Sequence, residues 1–187
     1  MNEQKKIAVI GGGSWATAIV KMLTENLDTI GWYMRSKSAI EHIEKNNHNP
    51  KYLRAADVYA HQLDLSSDMN RIVAAYDVLI FAIPSAFLVR ELENLKESLK
   101  NKIIFSAIKG IVPETGLIVG EHFHNTYNIP FENIGVISGP CHAEEVAMER
   151  LSYLTIACHN NENAELMSVS LESWYIKTKI SDDIIGT

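Results

Sequence analysis

The tightest constraint in this sequence lies near its start. Lys6 to Ile10 is a short apolar run rich in β-branched residues, and Gly11-Gly12-Gly13 stops it at once. From Ser14 to Glu25 the pattern turns helical. A buried strand therefore passes into a helix through small residues spaced Gly11-x-Gly13-x-x-Ala16. Gly11 permits a tight turn, Gly13 has no Cβ to keep a ligand from the backbone, and Ala16 lets helix and strand pack closely. The first helical turn leaves N–H groups open and carries partial positive charge. Together these features suit the diphosphate of a dinucleotide. A glycine-rich strand–helix turn without a ligand is the alternative.

The alternation continues along the chain. Asp28–Met34, Val78–Ile83, Lys102–Ile108, Asn133–Ile137, Leu151–Cys158 and Tyr175–Ile180 read as strands. Leu88, Leu92, Leu95 and Leu99 fall at helical spacing. Helices are also predicted over Glu114–Thr126, His142–Glu149 and near Ala164–Leu171. The polar stretch Glu44–Asp68 reads as an irregular surface excursion near the sheet's edge. Strand and helix in alternation predict an α/β fold: a Rossmann-like, doubly wound, mostly parallel sheet with helices on both faces. A length of 187 residues corresponds to about 1.2 domains, so residues 1–187 are read as one dinucleotide-binding domain.

Composition narrows the partners. A net charge of −6 argues against general polyanion binding, so no nucleic acid is expected. Cys141 and Cys158 have neither disulfide-scaffold nor zinc-ligand spacing. No apolar run reaches the roughly 18 residues of a membrane span, and the polar Met1–Lys6 does not read as a signal peptide. A soluble cytoplasmic protein is the expectation.

The end of the second strand reports on the nucleotide. An acidic residue about 20 positions past the glycines would hold a ribose 2′-hydroxyl. Here the sequence is Met34-Arg35-Ser36-Lys37. An arginine suits a 2′-phosphate, so NADP(H) is the preferred cofactor and NAD(H) the other. Solvated loop cations are the bland reading of Arg35 and Lys37. Ligands in such sheets gather beyond the strands' carboxyl ends, and Ala82-Ile83-Pro84-Ser85, Ser106-Ala107-Ile108-Lys109-Gly110 and Ser138-Gly139-Pro140-Cys141 lie there. Lys109 could hold a substrate oxygen or phosphate, or simply face solvent. Gly139-Pro140 could present backbone N–H groups to an anion, or be a plain turn. Trp15 could touch the nucleotide or pack on its helix. The histidines other than His142 read as surface or cap residues; His142 is titratable beside the proposed site.

These pieces resemble a known family. GGGSWATA from Gly11, NPKYL from Asn49, FAIPS from Phe81, KGI from Lys109, ETGL from Glu114 and SGP..AEEVA from Ser138 are similar, in order, to the N-terminal domain of bacterial NAD(P)-dependent glycerol-3-phosphate dehydrogenase. The resemblance implies reduction of dihydroxyacetone phosphate to sn-glycerol 3-phosphate, a phospholipid precursor. By position it implies cofactor contacts at Gly11, Gly13, Ser14, Trp15, Arg35, Tyr52, Lys109 and Ala143, substrate contacts at Lys109, Gly139 and Cys141, and a catalytic role for Lys109. Cys141 stands where the family has Ser or Thr, and His142 where it has Phe. A helical second domain, opening with an Ala-Leu-Lys-Asn element whose lysine is the presumed proton donor, is expected to be missing from this chain. The apolar surface that would meet it favours self-association, so a homo-oligomer is expected. A regulatory nucleotide-binding module, or another NADPH-dependent reductase of the same fold, are the competing functions.

Overall fold

Side chains of β1 (Ile7–Ile10) alternate between two cores: Ile7 and Val9 enter one, Ala8 and Ile10 the other. Period-two alternation with every residue buried means that both faces of the sheet are covered. The computed structural model describes residues 5–187; Met1–Gln4, part of the polar lead read above, lie outside the described residues.

After β1 come α1 (Ser14–Thr24), β2 (Ile30–Tyr33), α2 (Lys37–Asn46), β3 (Leu63–Ser66), α3 (Met69–Ala75), β4 (Val78–Phe81), α4 (Ser85–Leu92) and β5 (Ile103–Ser106). The chain continues through β6 (Ile111–Val112), β7 (Leu117–Ile118), α5 (Val119–Tyr127), β8 (Ile134–Ser138), α6 (Ala143–Ala147), β9 (Ser152–Cys158), α7 (Asn161–Leu171) and β10 (Ile176–Ser181). Eight strands form one sheet in the order β10-β9-β8-β5-β4-β1-β2-β3. From β3 to β8 all pairings are parallel. The expected Rossmann-like, doubly wound sheet is therefore present. One core joins α1, α2 and α7 to the sheet, the other α3, α4 and α5.

Five details add to the sequence reading or depart from it. β9 is antiparallel to β8, because the five-residue α6 between them is too short for a crossover back along the sheet. The predicted irregular segment Glu44–Asp68 holds the edge strand β3. Ser36 caps α2 through its hydroxyl, which accepts from the Ala39 N–H. The helix expected through Leu99 ends at Leu92, although Leu99 is still buried. A hairpin of β6 and β7 occupies the start of the helix expected from Glu114, because Gly116 sits at φ +69° and turns the chain.

Candidate functional site

The winding reverses between β1 and β4: β2 and β3 lie to one side of β1, β4 and β5 to the other. A crevice opens beyond the carboxyl ends of strands at such a switch point, and the glycine turn sits in it. Gly11 has φ +137°, and a Cβ there would lie 2.4 Å from the Ala82 carbonyl oxygen. The turn and the exit of β4 thus touch backbone to backbone, which only glycine allows. Gly13 is different. Its φ is −85°, which any residue adopts, and nothing lies within 4 Å of where its Cβ would be. No side chain caps α1 at this residue, so the space above Gly13 faces the open amides of the helix's first turn. A diphosphate fits this cradle, and a methyl group would occupy it.

Several groups fix the turn. The Gly11 N–H donates to the Tyr33 carbonyl at 3.0 Å. Trp32 Nε1 donates to the Gly11 carbonyl at 2.7 Å, fully buried. The Asn49 amide donates to the Gly12 carbonyl at 3.2 Å and to Thr17 Oγ1 at 3.0 Å, while its Oδ1 accepts from the N–H groups of Lys51 and Tyr52. Asn49, only 2% exposed, thereby ties the NPKYL segment to the turn.

On one side of Gly13 lies a recess of about 290 Å³, lined by Gly11, Gly13, Arg35, Tyr52, Phe87 and Glu91 among others. Arg35 is exposed and pairs with Glu91 at 2.8 Å. On the other side lies a cleft of about 1070 Å³, lined by Gly13, Ser14, Trp15, Lys109, Gly139, Cys141, His142 and Ala143 among others. Gly13 and Ala82–Pro84 border both, so the two form one continuous groove across the switch point. Together they gather all ten residues that the family resemblance implies as cofactor or substrate contacts.

Within the cleft, Lys109 leaves the end of β5 as an exposed cation. Burial pushes the Cys141 thiol above its usual range, Glu145 adds to the effect and Lys109 opposes it. Cys141 is thus a neutral, half-apolar wall residue rather than a thiolate. Gly139 has a packing reason of its own: a Cβ there would meet the Tyr153 carbonyl of β9 at 2.4 Å. Exposed His142 precedes α6, and its N–H donates to Glu145 at 3.0 Å. Trp15 is half-buried and packs against the core while bordering the cleft, so both readings of it hold in part. His122, expected at the surface, is buried in α5, with Nδ1 3.4 Å from the hydroxyls of both Thr115 and Thr126. Trp32 and Glu91 lie in no motif quoted above, and only the fold brings Trp32 under the glycine turn and Glu91 to the groove, while Asn49, the first residue of NPKYL, was not singled out as a brace of the turn. Among the described residues no group of three potential ligands could hold a metal ion, and no helix is long and apolar enough to cross a membrane.

Residues 6–164 match the sequence model of the NAD-dependent glycerol-3-phosphate dehydrogenase N-terminus. The chain belongs to this family. Among curated glycerol-3-phosphate dehydrogenases [NAD(P)+], the one from Pseudomonas aeruginosa is 32% identical over 186 residues, covering 100% of this chain and 54% of the relative. That from Oceanobacillus iheyensis is 31% identical, covering 97% and 53%. The chain thus spans about half the length of these dehydrogenases. In fold it is similar to the glycerol-3-phosphate dehydrogenase of Plasmodium falciparum, with a TM-score of 0.86 at 24% identity over 97% of this chain and 53% of that one. The Coxiella burnetii enzyme gives 0.82 at 20% identity, over 98% and 55%.

Proposed function

We propose that this chain is the coenzyme-binding half of an enzyme that interconverts dihydroxyacetone phosphate and sn-glycerol 3-phosphate with NAD(P)(H). One observation carries the reading: ten residues scattered from Gly11 to Ala143 line a single groove at the switch point of the sheet. The family membership argues for this reaction among the many that the fold can host. In this reading residues 1–187 act as one nucleotide-binding unit.

When bound, the nicotinamide supplies the hydride that, with one proton, turns the substrate ketone into a secondary alcohol. The chain's own residues have these roles. Gly13 and the N–H groups of Ser14 and Trp15 receive the diphosphate. Arg35 and Tyr52 hold the adenosine end, and Arg35 favours a 2′-phosphate, hence NADPH. Ala143 borders the nicotinamide end. Lys109 sits where its ammonium can hold the phosphorylated triose and stabilise negative charge developing on the ketone oxygen. Gly139 and Cys141 line the substrate's side of the cleft, Cys141 through its backbone, because a thiol is a weak donor. The family's second lysine, as proton donor, would come from the part of its relatives that this chain does not span. Two buried free cysteines, Cys141 and Cys158, suit the reducing cytoplasm. Exposed Tyr153, Val169 and Trp174 offer apolar surface for assembly into a homo-oligomer.

The test is Lys109→Ala in the full-length enzyme, with NADPH oxidation by dihydroxyacetone phosphate followed by nicotinamide absorbance. Loss of a positioned cation should lower kcat/KM by roughly 100- to 1000-fold. A variant as active as the parent would overturn the role of Lys109. A parent that ignores the phosphorylated triose would overturn the activity.

A further inference from the structure

The recess beside the glycine turn contains a carboxylate that no strand end supplies. Glu91 is the seventh residue of α4, whose Leu88 and Leu92 enter the core. That packing turns Glu91 toward the end of β2. Its side chain is 10% exposed, and Oε1 lies 2.8 Å from Arg35 Nη1. Its Oε2 accepts from the Tyr33 hydroxyl at 3.4 Å. Glu91, Arg35 and Tyr33 all line the recess, as does the exposed cation Lys51. A shielded carboxylate requires a partner. Arg35, whose own side chain is 70% exposed, is the guanidinium within reach.

We propose that Glu91 is a specificity-determining residue that limits the preference for NADPH over NADH. This rests on the nucleotide reading of the groove. With a dinucleotide lacking the 2′-phosphate, Arg35 stays paired with Glu91, whose carboxylate balances the guanidinium's charge. A 2′-phosphate brings about −1.5 to −2 charges and calls on the same guanidinium. It must share Arg35 with Glu91 and sit beside a like charge. Arg35 read alone therefore overstates the preference for NADPH. The carboxylate that the second strand lacks in sequence is restored through space from α4, one helix further along the chain.

The experiment compares binding of NADH, NADPH, ADP and 2′,5′-ADP to the wild-type chain and to Glu91→Gln. The last two probes occupy only the adenosine end. Glutamine keeps the size of Glu91 and can still accept from Tyr33. NADPH and 2′,5′-ADP should bind roughly tenfold tighter to the variant, about 1.4 kcal/mol, while NADH and ADP change less than about twofold. A purely structural role would move all four together. Glu91→Ala is the second variant, with the same expected direction should the glutamine variant fold poorly. An NADPH-to-NADH affinity ratio unchanged in the folded variant removes the role given to Glu91 and leaves nucleotide binding intact. Wild-type chain that binds none of the four removes both.

Discussion

Two glycines two residues apart should respond in opposite ways to the same added methyl group. At Gly11, alanine would have to hold φ +137° and place its Cβ 2.4 Å from the Ala82 carbonyl oxygen. The backbone conformation costs about 1–3 kcal/mol, and forcing apart two backbone segments costs a further 1–3 kcal/mol or so. A net loss of about 3–4 kcal/mol is expected, and at roughly 3 °C per kcal/mol for a chain of this size the melting temperature should fall by about 10 °C. At Gly13, alanine meets no atom within 4 Å and keeps φ −85°. Reduced freedom of the unfolded chain gains about 0.4–1 kcal/mol, and the poorer helix cap loses a similar amount. Stability should stay within about 1 kcal/mol of the parent. Yet the methyl group fills the place where a diphosphate would meet the amides. Loss of one charge-assisted hydrogen bond, about 1.5–3 kcal/mol, weakens binding roughly 10- to 100-fold. Thermal unfolding by circular dichroism and NADPH titration by fluorescence measure the two effects separately. A Gly13→Ala chain that melts and binds like the parent would refute the argument, because a diphosphate resting on Gly13 cannot tolerate that carbon.

Two further outcomes follow from buried polar groups. Asn49→Ala leaves the Gly12 carbonyl and the N–H groups of Lys51 and Tyr52 without their partner, so denaturant unfolding should show a loss of about 1–3 kcal/mol and nucleotide affinity should fall with it; unchanged affinity would mean that the turn holds its shape without this clamp. Burial pulls the His122 imidazole below its ordinary value, with Glu114 opposing. The folded pKa is then lower than the unfolded one of about 6.5. The unfolded chain takes up the proton first as pH falls, so the stability that neutral His122 contributes is complete above about pH 6.5 and is lost as pH drops through the folded pKa. The melting temperature should fall between about pH 7 and about pH 5, and less steeply in His122→Leu; equal slopes would place the acid sensitivity elsewhere.

The local signals were strong wherever a residue's neighbours in sequence are also its neighbours in space. The glycine turn, the apolar strands and the lysine closing β5 are of this kind. The signal failed where local pattern and global path diverge. Leu95 and Leu99 keep helical spacing, but the helix ends at Leu92 and both still reach the core from irregular chain. His122 carried no cue of burial, because a polar residue inside a helix is buried or exposed according to what packs on it. Arg35 looked like a free cation because its partner lies 56 positions away, 91 − 35.

By itself the sequence determined that strand and helix alternate, that the first turn is bare of side chains, and that polar and small residues follow the strands. Backbone sterics, periodicity and burial of apolar runs act over a few residues and can be read in order. Tertiary structure alone decided that β9 runs against β8, that Asn49 and Trp32 brace the glycine turn, and that Glu91 meets Arg35. Those contacts join segments whose separation along the chain bears no relation to their distance in space, and only the packing of helices on the sheet sets that distance.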